Sequence, residues 1–373
     1  MCNECVDFSF DTLHKEEQKK VAVRIKKSKI LTPEQIKEHL DEYIIAQDSA
    51  KIALSVAFYN HHKRVNNKLK DIEIEKSNVL MVGPSGSGKT LTVKTIAKLL
   101  ELPYVIADAT TLTESGYVGE EASNLITRLV ENAGGDVDLA QHGIIFIDEI
   151  DKKSRKSETS TVGRDVSGEG VQQALLKMIE GAIIKIPDGY DDPIDFDTKN
   201  VLFICSGAFV GLDEIIKKRK SNASIGIGAT LKVNGAAHDM AKFITPPDFI
   251  KFGLIPEFVG RCPVTVVFED LTIDTMVRIL KEPKNNLLSQ FKALFKYEHV
   301  SLEFDDKYLH DVATKCMEQK VGARGLRTII EQDLQSTQFI LPSLAKSGVA
   351  KILVGVGGII KTIYKVKKRK VNE

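Results

Sequence analysis

Four short apolar runs alternate with stretches of helical spacing through the first two thirds of the chain. NVLMV (78–82), YVIAD (104–108), GIIFID (143–148) and NVLFICSGAF (200–209) are nearly continuous in apolar residues, as strands buried on both faces are. Between them KTLTVKTIAKLL (89–100), EASNLITRLVENA (121–133) and GVQQALLKMIEG (170–181) place apolar residues at every third or fourth position. Such alternation predicts an α/β fold, a mostly parallel sheet between helices. Upstream, Thr32 and Pro33 suit an N-cap and first helical position, and helical spacing continues through EQIKEHLDEYI and DSAKIALSVAFYNHHKRV. Residues 66–77 read as a polar connection, and HKEEQKKVAVRIKKSK (14–29) as a solvated helix or linker.

The rhythm stops between Pro263 and Asp270. Beyond it 274–295 and 306–318 read as helices, with another after Gly325 and strand-like runs near the end. Three divisions are therefore expected: 1–30 as an N-terminal segment and linker, 31–270 as a large α/β domain, and 271–373 as a smaller, mainly helical domain with a tail.

Charge narrows the partners. The 373 residues hold 52 Lys plus Arg against 51 Asp plus Glu, a net +1 that gives no general case for nucleic acid or an anionic membrane. The terminal KVKKRK (365–370) reads as a solvated end. Five scattered cysteines argue against a disulfide framework and suit a reducing compartment. The first twenty residues lack the apolar core of a signal peptide, and the run Ile352–Ile360 is far short of the roughly 20 residues a spanning helix needs. A soluble, cytoplasmic protein is expected, or one of a prokaryote-derived organelle if the source is eukaryotic.

GPSGSGKT (83–90) fits the phosphate-loop pattern, and it stands where that pattern functions, after a predicted strand and at the start of a predicted helix. Gly83, Pro84, Ser85, Gly86, Ser87 and Gly88 would wrap backbone N–H groups around phosphate oxygens, with Leu91 following in the helix. Lys89 would reach the outer phosphates and Thr90 would ligate Mg²⁺. The run GIIFID ends in Asp148, a second Mg²⁺ ligand through water, and Glu149 then stands where a base could activate a water. Together they point to ATP hydrolysis. Arg261, after Gly260 at the end of the α/β part, reads either as a surface ion pair or as an arginine that enters a neighbouring subunit's site. Arg324, in KVGARGLR, reads either as a helix-start charge or as a reporter of nucleotide state.

In ESGYVGEE (114–121), Tyr117 and Val118 lie between Gly116 and Gly119 with carboxylates around them. An apolar pair on a bent, wet loop does not serve a core.

From about residue 31 to 345 the chain resembles the ClpX family of AAA+ unfoldases. The strings that carry the resemblance are LTPEQIKEHLDEYIIAQ, GPSGSGKT, ADATTLTESGYVGEE, GIIFIDEIDK, RDVSGEGVQQALLKMIEG, FGLIPEFVGR, KEPKNNL and GARGLR. The resemblance implies a homohexameric ring that draws protein substrates through an axial pore as ATP is hydrolysed, with a ClpP-type peptidase as partner. It implies that Glu149 activates water, that Arg261 acts in trans, that Arg324 is the sensor of the second domain and that Ile44 and Ile45 line the adenine pocket. Tyr117 and Val118 become the gripping pore loop, and 164–173 a second, lower one. The balanced charge and aromatic pore loop speak against a nucleic-acid motor, and Glu149 with Arg261 against a non-catalytic scaffold.

Four features depart from the family pattern. Only Cys2 and Cys5 remain of a four-cysteine zinc module, half a tetrahedral site, so zinc is not expected. The peptidase-docking tripeptide reads Ile225, Gly226, Ile227 where the family has phenylalanine third. The stretch IPDGYDDPIDFD (186–197) is acidic where the family has a basic loop at the channel mouth. Ala46 stands where glycine is usual.

Overall fold

The computed structural model describes residues 31–66, 72, 74–113, 120–154, 168–188, 191–223 and 243–364. Contacts divide the chain into two compact units, one of residues 1–37, 49–82 and 93–267, the other of residues 38–48, 83–92 and 268–373. The N-terminal segment with Cys2 and Cys5, the loop Gly116–Tyr117–Val118–Gly119, residues 164–167, the tripeptide Ile225–Gly226–Ile227 and the tail 365–373 lie outside the described residues. Among the described residues no helix is long and apolar enough to cross a membrane.

Two helices, α1 (Pro33–Asp41) and α2 (Asp48–Val65), precede the first strand. The first unit is built on a parallel sheet of β1 (Val79–Val82), β2 (Tyr104–Asp108), β5 (Ile144–Asp148), β8 (Leu202–Gly207) and β9 (Val264–Val267), in the order β2-β5-β8-β1-β9. Strands β1 and β8 are buried at every position, which is why their sequences show no alternation. Helices α3 (Lys89–Leu99), α4 (Asn124–Asn132) and α6 (Glu169–Glu180) fall where the spacing predicts helices, and the four-residue α5 (Val137–Ala140) is one that the spacing does not predict. Leu125, Ile126 and Leu129 of α4 and Val171, Leu175 and Ile179 of α6 enter one core with Leu80, Ile145, Ile147 and Phe203 of the sheet. The fifth strand is a difference from the sequence reading. Val264–Val267 is only four residues long and half-buried, the signature of an edge, so its apolar run is too weak to stand out.

Two smaller ladders complete this unit. Leu112–Thr113 (β3) pairs with Glu120–Glu121 (β4), joining the two roots of the segment 114–119. Ile183–Asp188 (β6) and Asp191–Asp197 (β7) form an antiparallel hairpin, so the acidic stretch is a paired arm rather than a loop throughout. Thr198, fully buried, ties this arm to α6: its hydroxyl donates to the Met178 carbonyl and accepts from the Ala182 N–H, both at 2.9 Å.

Three further helices of this unit are α7 (Leu212–Ala223), α8 (Pro246–Phe252) and α9 (Pro256–Gly260). Arg219 of α7 binds both carboxylate oxygens of the buried Asp248 at 2.8 and 3.0 Å and donates to the Phe243 carbonyl at 2.6 Å. The points where residues 224–242 leave and rejoin the body are therefore clamped together.

The second unit has its own core, formed by α10 (Ile273–Lys281), α11 (Leu287–Tyr297), α12 (Asp306–Glu318), α13 (Arg324–Lys346) and a sheet β10-β11-β12 of Ser301–Phe304, Val349–Gly355 and Ile359–Tyr364. The single helix expected over 274–295 is two. Pro283 follows the end of α10, and the Asn286 side chain accepts from Ser289 N–H at 2.9 Å to start α11 afresh. The run Ile352–Ile360 is likewise two strands, folded back at Val356–Gly358.

Candidate nucleotide site

The phosphate loop leaves the sheet at the C-terminal end of β1, between Val82 and Gly83. Across β8, Val82 is level with Gly207 and Ile147 with Cys205, so β1 and β5, on either side of β8, end level to within about one residue at the carboxyl end of the sheet. Nucleotides bind outside the carboxyl ends of strands in such sheets, at this kind of position.

Within the loop, Lys89 is buried and its ammonium donates to the carbonyls of Gly83 and Pro84. The Ser87 hydroxyl donates to the Pro84 carbonyl at 2.8 Å. Lys89 also opens the eleven-residue α3, whose first N–H groups have no carbonyl partner within the helix. Gly88 has φ +100° and nothing within 4 Å on the side where a Cβ would stand, which leaves the mouth of the cradle open. The residues fit the phosphates of a nucleotide: a glycine-rich turn, a helix N-terminus and one ammonium stand together in a single loop.

The loop is braced from the C-terminal residues of its own unit. A Cβ on Gly86 would stand 3.0 Å from the Ala323 nitrogen, and one on Gly322, at φ +61°, 2.5 Å from the Ser85 carbonyl oxygen. The turn that opens α13 is thus packed backbone to backbone on the phosphate loop. It carries Arg324, exposed, as the first residue of the helix. Ile44 and Ile45 are buried in the same unit. After them come Ala46 and Gln47, both left-handed at φ 56° and 61°. The Gln47 amide donates to the Glu269 carbonyl at 2.9 Å and accepts from Glu269 N–H at 2.8 Å. Glycine at position 46 would adopt this backbone without strain, so the alanine has a consequence that the sequence did not disclose: about 1 kcal/mol of local strain.

At the end of β5, Asp148 is half-buried and its carboxylate accepts from Glu149 N–H at 3.0 Å. Glu149 is exposed and left-handed, φ 57° and ψ 32°, at the start of a 3-10 turn, Ile150–Lys153. A non-glycine residue persists there only when its surroundings hold it. Buried Asp151 helps, accepting from Phe209 N–H at 3.2 Å beyond β8. Carboxylate and hydroxyl oxygens of the Asp148 and Thr90 kind are the hard donors Mg²⁺ takes. Among the described residues no cluster of three or more His, Cys, Asp or Glu side chains could hold a metal.

Arg261 is exposed, caps the C-terminus of α9 and binds Glu180 through Nε at 3.0 Å. Sequence reasoning named Arg261 but missed its partners. Gln47 and Asp151 carry no motif that would flag them. Gln172 does carry a signal, as a polar residue on the stripe shared by Leu175 and Ile179, and it is fully buried.

Two segments of the chain match known protein families. Residues 74–265 match the AAA domain (Cdc48 subfamily), and 271–345 the C-terminal D2-small domain of ClpB protein. The chain is 48% identical over 354 residues to a protein of Treponema denticola named ATP-dependent Clp protease ATP-binding subunit ClpX, covering 92% of this chain and 85% of the relative. It is 45% identical over 371 residues to the protein of that name from Borrelia duttonii, covering 97% and 86%.

Proposed function

Because the chain belongs to the ClpX family of AAA+ ATPases, we propose that it is an ATP-driven protein unfoldase and translocase, acting as a homohexamer that delivers polypeptide to a ClpP-type peptidase. The observation that supports the reading best is that β1, which runs into the phosphate loop, and β5, which ends in Asp148, finish level at the carboxyl end of the sheet, in a chain so similar to proteins named ClpX. Gly83–Thr90 bind the phosphates of ATP, and Ile44 and Ile45 take the adenine. Mg²⁺, held by Thr90 and Asp148, would offset phosphate charge. Glu149 orients a water and takes its proton, which the left-handed turn favours by aiming the residue out of β5. Arg261 stabilises transition-state charge on the neighbouring subunit's nucleotide. Arg324 senses the nucleotide for the second unit through the turn packed on Ser85 and Gly86.

Tyr117 and Val118 grip substrate by apolar surface, without reading its sequence. The hairpin β6–β7, with Asp188, Asp191, Asp192, Asp195 and Asp197, disfavours acidic tags at the channel mouth. The test is ATP turnover with added ligands. Stimulation by an unfolded protein and not by DNA is expected, and stimulation by DNA alone would overturn the reading.

A further inference from the structure

Helix α6 holds the short helix α9 at both ends. Near its start, the fully buried Gln172 donates to the Lys153 carbonyl at 2.7 Å and accepts at 2.8 Å from the N–H of Ile255, the N-cap of α9. At its end, Glu180 accepts at 3.0 Å from Nε of Arg261, the C-cap of α9. A third hold acts on the main chain: buried Asn78 donates to the Arg261 carbonyl at 2.8 Å and accepts from Phe203 N–H of β8 at 3.2 Å. Thr198 fixes the other side of the joint by its bonds to Met178 and Ala182 around the end of α6.

The backbone at Arg261 and the end of α6 are thus both anchored without the ion pair. The pair itself is exposed, 57% for the arginine side chain and 40% for the glutamate, and exposed pairs add little to stability. What remains for Glu180 to determine is the direction in which the guanidinium points. We propose that Glu180 is a positioning residue for Arg261, aiming it from α9 toward the neighbouring subunit's nucleotide. This rests on the reading that Arg261 acts in trans.

The experiment uses the full chain, with ATP turnover measured on rings whose assembly and melting temperature match wild type. Glu180→Ala should lower kcat on the order of 10- to 10²-fold with KM for ATP nearly unchanged, the scale of a misplaced catalytic group. Glu180→Gln keeps an oxygen to accept from Nε and should retain more turnover than Glu180→Ala; it also serves if the alanine variant fails to assemble. Mixed rings then locate the defect. Glu180→Ala subunits mixed with Glu149→Gln subunits should regain activity, since the latter supply an intact arginine. Mixed with Arg261→Ala subunits they should not, because both lesions strike the same element. Wild-type kcat in Glu180→Ala, a change in KM alone, or recovery with Arg261→Ala would overturn the proposal. Failure of Arg261→Ala with Glu149→Gln to recover would instead remove the trans reading beneath it.

Discussion

Gly322 lies so close to Ser85 that a methyl group on its Cα would stand 2.5 Å from the Ser85 carbonyl oxygen, and its φ of +61° is one that side chains resist. Gly322→Ala must therefore shift either the turn before α13 or the phosphate loop. Strain of about 1–3 kcal/mol is expected, which corresponds to roughly a 5- to 10²-fold loss of ATP affinity if it falls on the loop. Titration with a fluorescent ATP analogue measures it. Unchanged affinity would mean that the turn yields and the loop does not depend on it.

Glu149→Gln preserves the size of the side chain and its hydrogen-bonding reach but removes the base. ATP binding and assembly should persist while hydrolysis falls by roughly 10²-fold or more. Phosphate release from purified protein decides the matter, and near-normal turnover would strip Glu149 of the role.

His61 gives a pH signature. It is buried in α2 with Nε2 3.4 Å from the His142 carbonyl, and burial, aided by the charge of Arg64, lowers its pKa from 6.5 to about 3. Between those values the unfolded chain binds the proton and the folded chain does not. Stability is therefore lost as pH falls from 6.5 toward 3, by up to about 1.4 kcal/mol per unit. From pH 6.5 to 5, His61→Gln should lose about 2 kcal/mol less than wild type in urea unfolding. Parallel pH dependences would contradict the assignment.

Coupling to a peptidase should be separable from the motor. Ile225 lies within residues 224–242, a segment whose roots are joined by Arg219, Phe243 and Asp248 and which contains none of the candidate ATP-binding residues. Ile225→Glu should abolish degradation of an unfolded substrate by added ClpP and spare ATP turnover. Ile227→Phe should tighten coupling, because each added Å² of apolar contact contributes roughly 25 cal/mol and six loops would act together. Degradation unaffected by Ile225→Glu would leave the chain as a stand-alone remodelling ATPase.

Local signals made much of this legible. Apolar continuity marked β1, β5 and β8, because strands buried on both faces need it, while β2, equally apolar in sequence, lies at the sheet edge and is buried only at alternate positions; the loop and acidic turn follow strand ends as their motifs require. Edge strand β9 was not legible, since four half-buried residues resemble a loop. Pro283 could have divided α10 from α11 on reading, but continuous apolar spacing on either side masked it. The braces were hidden for a deeper reason. Asn78, Gln172 and Glu180 act across 81 to 183 residues of sequence, through single hydrogen bonds that leave no periodicity. Left-handed backbone at Ala46 and Glu149 is equally silent, because neither residue type announces it.

The central claim is that ATP hydrolysis here pulls polypeptide. It is tested most directly by following a folded fluorescent protein that carries an unstructured, uncharged or basic tag. With ATP the purified chain should extinguish the fluorescence, and Tyr117→Ala should keep its ATP turnover while losing that effect. Full fluorescence beside vigorous hydrolysis by the unmutated chain, with every tag tried, would contradict the account.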